Sequence, residues 1–216
     1  MAETGAAPDE RVLVVFDVNI YLDVARLLGD PFTWDAFDAA LAVHATESSP
    51  HPTDARIDSL RAIASLRSGQ SPSGVRREVW TSDHINLTAA YKLSQSAQAP
   101  DIRDRGLGWS AKSAQAFVDE LIWGIVDQTD GESVGEIIGS YGSPPLDHED
   151  GRVLATARDA GFIEVDYYDR YVITRDRGFS TTDNLPGDAS VQHPADWIDL
   201  DRGEQRAVAF KRLLGL

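Results

Sequence analysis

The sequence predicts a three-layer α/β/α fold with a central parallel sheet, and three observations lead to this prediction. Residues 12–16 (VLVVF) form an unbroken apolar run, which is typical of a strand covered on both faces. Further short β-branched or aromatic runs alternate with segments of helical periodicity along the chain. Apolar residues make up 42% of the 216 positions, which is enough for the core of one large domain.

The first structural unit is a strand, a turn and a helix. Residues 1–10 are small, polar and acidic, so we expect a flexible tail before a domain that spans 11–216. The strand is expected at 11–16. Apolar residues at helical spacing predict a helix after this strand, and Gly29 is expected to end the helix.

The remaining elements follow from the same signals. Ser82 is expected to cap a helix that begins at Asp83, and Pro194 to open the last helix. The other expected elements are strands at 77–82, 170–176 and 189–192, a long helix within 110–128, and a helix inside 147–161 that Gly161 closes.

Two polar segments interrupt this pattern. Residues 45–77 are rich in Ser and Pro, with a short helical stretch near 56–66, and residues 98–110 lack any periodicity. Both segments are expected to be insertions on the surface of the domain.

The composition excludes several classes of function. The absence of cysteine excludes disulfides, thiol catalysis and thiolate metal sites. No apolar run reaches the roughly 18 residues of a membrane span, and the N-terminus lacks the pattern of a signal peptide, so a cytoplasmic protein without a membrane partner is expected. A net charge of −15 disfavours a general nucleic-acid coat, but it is compatible with carboxylates that hold a divalent metal.

Acidic residues lie where strands end and where one helix begins. Asp17 follows the first strand, Asp176 ends the strand at 170–176, and Asp147, Glu149 and Asp150 precede a helix. The carboxyl ends of parallel strands share one edge of the sheet, where ligands bind. A single Asp at such a position usually caps a helix, but several together repel one another unless a cation neutralises them.

The ligand chemistry of such a cluster is that of a hard cation. Carboxylate oxygens without cysteine favour Mg²⁺ or Mn²⁺ over Zn²⁺. These ions orient phosphate groups and activate water for in-line attack on phosphorus. The acids therefore predict hydrolysis of phosphodiester bonds.

Four stretches together resemble the PIN-domain nuclease family, which includes the VapC-type toxins of toxin-antitoxin pairs. The match covers about residues 11–30 and 145–200, and it depends on the order and spacing of the stretches VLVVFDVNIYLDV, DHEDGRVLATARDAGF, YVITRDRGF and VQHPADWIDL. The resemblance implies that Asp17, Asp150 and Asp176 are catalytic acids that bind metal. It also implies that Asn19 and Thr174 are supporting polar residues of the same motifs.

One family feature is absent. The family usually carries a Glu on the helix after its second strand, whereas here SDHINLTAAYKL offers Asn86 and Thr88 near that position. Asn86 is the candidate for a neutral oxygen ligand, and Asp147 for the carboxylate that restores the lost charge.

Three arginines flank the acidic motifs. Arg152, Arg175 and Arg177 are candidates for binding the substrate, because guanidinium groups pair well with phosphate. An equally weighted alternative is that they neutralise nearby Asp side chains.

The function expected from these features is that of a metal-dependent endoribonuclease with an RNA substrate. The resemblance implies the toxin of a toxin-antitoxin pair, with a small basic antitoxin as partner. A homodimer is left open as the assembly. Two alternatives remain open. One is a degenerate PIN-like scaffold that binds RNA or protein without cleavage. The other is a phosphatase with Asp17 as nucleophile, which is disfavoured because Asn19 stands where that class has a second acid.

Overall fold

The computed structural model describes residues 10–45, 54–101, 105–135, 146–160, 167–179 and 189–215. Most of the expected N-terminal tail, parts of both expected insertions and the expected helix end at Gly161 lie outside these ranges.

The described residues contain one five-stranded sheet in which every neighbouring pair is parallel. Its order is β3-β2-β1-β4-β5, with β1 in the centre. The strands are β1 Arg11–Phe16, β2 Arg76–Ser82, β3 Ser133–Val134, β4 Asp169–Ile173 and β5 Ala189–Gln192. The expected parallel sheet is confirmed. The sequence did not predict β3, because two residues are too few for a period of two to be visible.

Helices connect and flank the strands. They are α1 Val18–Leu28, α2 Trp34–Ala45, α3 Arg56–Ala64, α4 Asp83–Ser94, α5 Ala111–Phe117, α6 Gly124–Gln128, α7 His148–Asp159 and α8 Pro194–Leu213, with a π-helical segment Val118–Trp123 between α5 and α6. Within the described ranges, none of the helices combines the length and the apolar character needed to cross a membrane.

Helices cover both faces of the sheet, as strand β2 shows. Successive side chains of a strand point to opposite faces. Ser82 accepts a 2.9 Å hydrogen bond from Thr156 of α7, whereas Arg77, five positions away, forms a 2.6 Å ion pair with Asp201 of α8. The two helices therefore lie on opposite sides of β2, and the expected three-layer fold is confirmed.

The central strand is buried on both faces. Leu13, Val14, Val15 and Phe16 have no exposed surface, so both sets of alternating side chains are covered by helices. The expected helix boundaries also hold. Gly29 ends α1 with a φ of 80° and an N–H bond to Ala25, Ser82 caps α4 through a bond from Ile85 N, and Pro194 is the first residue of α8.

The surface position expected for residues 45–77 is wrong for α3 and the turn after it. Leu60, Ile63 and Leu66 are fully buried and belong to the main core, where α3 packs against α1. These apolar residues recur every three positions, which gives α3 one apolar face that the polar flanking sequence obscures.

Candidate functional site

The carboxyl ends of β1 and β4 place Asp17 and Thr174 side by side. Each residue directly follows its strand, and the two strands are adjacent and parallel. The amide of Asp17 continues this pairing by donating to the carbonyl of Ile173 at 3.0 Å. Asp17 is only 5% exposed and Thr174 only 2%.

A hydrogen-bond network holds the carboxylate of Asp17. Thr174 Oγ1 donates to Asp17 Oδ2 at 2.6 Å, and Asn19 Nδ2 donates to the same oxygen and, at 3.0 Å, to Thr174 Oγ1. The backbone N–H of Arg175 donates to Asn19 Oδ1 at 3.2 Å, which fixes the amide of Asn19. The structure thus brings together three of the residues that the sequence singled out, from two segments far apart in the chain.

Asp176 completes the turn after β4. Its amide donates to Thr174 Oγ1 at 2.9 Å, and its carboxylate Oδ1 accepts a 2.7 Å hydrogen bond from Gly178 N. Burial raises the pKa of Asp17 to about 6, the hydrogen bond from Thr174 opposes this rise, and the charge of Asp176 adds to it. Asp176 is therefore close enough to Asp17 for the two charges to interact.

The helix α7 contributes Asp147 and Asp150. Asp147 is exposed and caps the helix, because its Oδ1 accepts a 2.9 Å hydrogen bond from Asp150 N. The pKa of Asp150 is raised to about 7. Burial is the largest cause, and the negative charges of Asp147, Asp17 and Asp176 add to it. The acids thus form one electrostatically coupled group, in which Asp147 has a capping role that the sequence left open.

Asp17 and Asp150 face a common cleft of about 170 Å³ between α1, α4 and α7. Its lining residues are Asp17, Val18, Asn19, Leu22, His84, Thr88, Lys92, Glu149, Asp150 and Val153. The wall formed by α4 consists of His84, Thr88 and Lys92, which follow one another at four-residue intervals and so share one helix face. Lys92 was not among the residues predicted for the site, although its spacing from His84 and Thr88 is visible in the sequence.

The structure does not bring Asn86 into this lining. Its Oδ1 accepts a 2.8 Å hydrogen bond from the hydroxyl of Thr81, and the side chain is absent from the cleft walls. Asn86 is therefore not among the residues that line this cleft, and its role as a ligand stays a prediction. The α4 residues that line the cleft are His84, Thr88 and Lys92.

The three arginines have different environments. Arg175 Nη1 lies 2.6 Å from Oδ2 of Asp23, a carboxylate that is 2% exposed and also accepts a 2.8 Å bond from Ser59. Arg175 thus neutralises a buried Asp, which was the alternative to binding substrate. The charge of Arg152 contributes, after burial, to a lowered pKa of His84, so Arg152 lies beside the cleft. Arg177 is exposed in the turn after β4.

The coupled acids are not gathered into a compact ligand cluster. Among the residues that the structure describes, no three His, Asp or Glu side chains form a group that could hold a metal ion as they stand. The cleft combines two carboxylates of raised pKa, of which Asp17 is fixed by neutral donors, with the side chains of His84, Thr88 and Lys92 from α4.

Comparisons of the chain with protein-family models, with curated proteins and with solved structures found no match. The functional conclusion therefore depends on the chemistry of the cleft.

Proposed function

We propose that this chain is a PIN-type, metal-dependent endoribonuclease in which Asp17, Asp150 and Asp176 bind Mg²⁺ or Mn²⁺. The observation that carries the proposal is the position of Asp17, which Thr174 and Asn19 hold at the carboxyl edge of a parallel sheet, in a cleft that Asp150 also lines. This edge is where parallel α/β sheets bind their ligands.

The donor set fits a hard divalent cation. Asp17 and Asp150 both have raised pKa values, about 6 and about 7, and like charge contributes to each. A cation between such carboxylates would relieve their repulsion and favour their charged forms. A bound Mg²⁺ or Mn²⁺ would supply charge neutralisation at the phosphate and activation of water.

The side chains around the acids have positioning roles in this proposal. The hydroxyl of Thr174 and the amide of Asn19 donate to Oδ2 of Asp17, which favours its deprotonated form and fixes its orientation. The Gly178 N–H donates to Oδ1 of Asp176 and so fixes the orientation of that carboxylate. Because these donors are ordered by the backbone, the two carboxylates are aligned before any ligand binds.

The proposal is tested by cleavage of a fluorophore- and quencher-labelled single-stranded RNA in Mn²⁺, with Mn²⁺ binding followed by isothermal titration calorimetry. Asp17→Asn and Asp150→Asn are expected to reduce cleavage at least about 100-fold and to weaken Mn²⁺ binding. Asp127→Asn, an exposed acid of α6 outside the cleft, is the matched control and should retain both. Absence of cleavage by the unaltered protein, together with absence of Mn²⁺ binding, would refute the proposal.

The toxin role is a finer part of the same proposal. An acidic cleft in a chain of net charge −15 suits a small antitoxin that presents a basic segment. Growth arrest on expression, relieved by co-expression of a neighbouring gene, is the expected result, and harmless expression of RNA-cleaving protein would contradict the role. The homodimer remains a prediction, to be checked by light scattering after gel filtration.

A degenerate PIN-like scaffold is the second candidate, and the composition of the α4 wall favours it. This wall has His84, Thr88 and Lys92 in the cleft and no carboxylate. A scaffold of this kind would bind RNA or a protein partner with the same affinity in Asp17→Asn and Asp150→Asn, and the unaltered protein would not cleave RNA. Loss of binding in both variants would exclude it.

A further inference from the structure

We infer that Lys92 binds a phosphate group of the RNA backbone, because it lines the same cleft as Asp17 and Asp150. This inference rests on the proposed function and deepens it, since it assigns the substrate's backbone a place in the cleft.

The cleft has chemically distinct walls. Asp17 and Asn19 come from the start of α1, Asp150 comes from the first turn of α7, and His84, Thr88 and Lys92 come from α4. An ammonium group cannot ligate a cation, but it pairs with a phosphate oxygen. A phosphodiester in the cleft would thus lie between acids that hold a metal and a lysine that holds its negative charge.

The backbone at Lys92 is fixed by the segment 105–109, which packs against the end of α4. Leu107 N donates to the carbonyl of Lys92 at 3.3 Å, Trp109 N donates to Leu93 O at 3.0 Å, and Gly108 N donates to Gln95 O at 2.7 Å. A Cβ at Gly106 would lie 2.1 Å from the Lys92 carbonyl oxygen, so only glycine permits this approach. The segment thereby sets where the stem of Lys92 leaves the helix.

The net charge of the molecule favours a local cation at an RNA-binding site. A chain of net charge −15 repels a polyanion, and cationic side chains or bound metal ions offset this repulsion where RNA binds. Burial lowers the pKa of His84 on the same wall, with a contribution from Arg152, which favours its neutral form. Among the residues that line the cleft, Lys92 is therefore the one that carries an ammonium group, which pairs with phosphate.

The test compares RNA binding by Lys92→Met, Lys92→Arg and Lys112→Met. Fluorescence anisotropy of a short fluorescein-labelled single-stranded RNA is measured over a salt series, with Ca²⁺ in place of Mn²⁺ to limit cleavage. Lys112 is exposed at the start of α5 and outside the cleft, so its variant matches the change in net charge. Thermal unfolding of each variant checks that the fold is retained.

The expected result is specific to Lys92. Lys92→Met should weaken binding about tenfold and should reduce the slope of log affinity against log salt by about 0.7, the value for one phosphate contact on a single strand. Lys92→Arg should bind within about threefold of the unaltered protein, because it keeps the charge. Lys112→Met should change neither quantity.

Three outcomes would overturn the inference, and they separate it from the proposed function. Equal binding by Lys92→Met and the unaltered protein excludes a phosphate contact while leaving the nuclease proposal intact. If Lys92→Met and Lys112→Met lose RNA affinity equally, the effect is not a local charge contact. The same conclusion follows if a folded Lys92→Arg variant does not retain RNA affinity. If the unaltered protein neither binds nor cleaves RNA, the proposed function and the inference are both refuted.

Discussion

The hydroxyl of Thr174 donates a 2.6 Å hydrogen bond to Oδ2 of Asp17 and joins the ends of two adjacent strands across 157 positions of sequence. The same hydroxyl oxygen accepts the backbone N–H of Asp176 at 2.9 Å. Thr174 thus orients Asp17 directly, and it orients Asp176 by stabilising the turn that carries this residue.

Replacing Thr174 by Val is expected to weaken Mn²⁺ binding about tenfold at neutral pH. The variant keeps the shape but loses the donor that lowers the pKa of Asp17, so the carboxylate is protonated more readily. The free energy of unfolding should fall by about 1 to 2 kcal/mol, because a buried acceptor loses its partner. Calorimetric titration with Mn²⁺ and urea unfolding measure the two effects.

Thr129→Val is the matched control for this change. Thr129 is also buried, donating to Ile125 O and accepting from Val79 N, each at 2.9 Å. It should lose comparable stability without a change in Mn²⁺ affinity. Equal Mn²⁺ affinities in the two variants would show that Thr174 has only a structural role.

Asp17→Asn is expected to stabilise the metal-free protein at neutral pH. The folded-state pKa of Asp17, about 6, lies above its ordinary value of 3.8, so the folded protein binds the proton more tightly than the unfolded chain. Stability therefore falls as pH rises from about 4 through about 6, and the loss persists above that pH. Asn does not titrate and avoids this cost, which is about 3 kcal/mol at pH 7.5 for a shift from 3.8 to about 6.

Urea unfolding in EDTA measures this difference across pH. The gap between Asp17→Asn and the unaltered protein should be widest at about pH 7.5 and should narrow toward pH 4. A gap that stays constant over this range would contradict a raised pKa at Asp17. Addition of Mn²⁺ should stabilise the unaltered protein more than the variant.

Arg175→Met is expected to lower the free energy of unfolding and not to weaken RNA binding directly. The change removes the 2.6 Å partner of Asp23, a carboxylate that is 2% exposed. The expected loss is about 1 to 2 kcal/mol, since Ser59 still donates to Asp23. Arg177→Met, in the exposed turn, should change the free energy of unfolding by less than about 0.5 kcal/mol. If urea unfolding showed equal losses of stability in the two variants, the different roles of Arg175 and Arg177 would be refuted.

Gly106→Ala is expected to displace the segment 105–109 from the end of α4. The added Cβ would meet the carbonyl oxygen of Lys92 at 2.1 Å, so the backbone must shift, at a cost of about 2 kcal/mol. RNA affinity should fall with it, because Lys92 loses its support. Gly203→Ala is the control, because Gly203 lies inside α8 and no atom lies within 4 Å of the added Cβ. The free energy of unfolding of this variant, measured by thermal unfolding, should rise by about 0.5 to 1 kcal/mol.

Local sequence signals determined much of the fold and part of the candidate site. The apolar run of β1, the helix stop at Gly29 and the caps at Ser82 and Pro194 depend on residues near one another in the chain, so their patterns are visible in the sequence. The parallel sheet followed from the alternation of strands and helices. The placement of Asp17 at its carboxyl edge followed from the sheet.

Tertiary structure alone decided the features that depend on contacts between distant segments. These are the edge strand β3, the burial of α3 against α1, the ion pair of Arg175 with Asp23 and the face of α4 that meets the cleft. A helix pattern gives the spacing of His84, Thr88 and Lys92 but not the neighbour that this face meets. That neighbour is fixed only when α1 and α7 pack beside α4, because burial and charge are properties of the assembled layers rather than of any one segment.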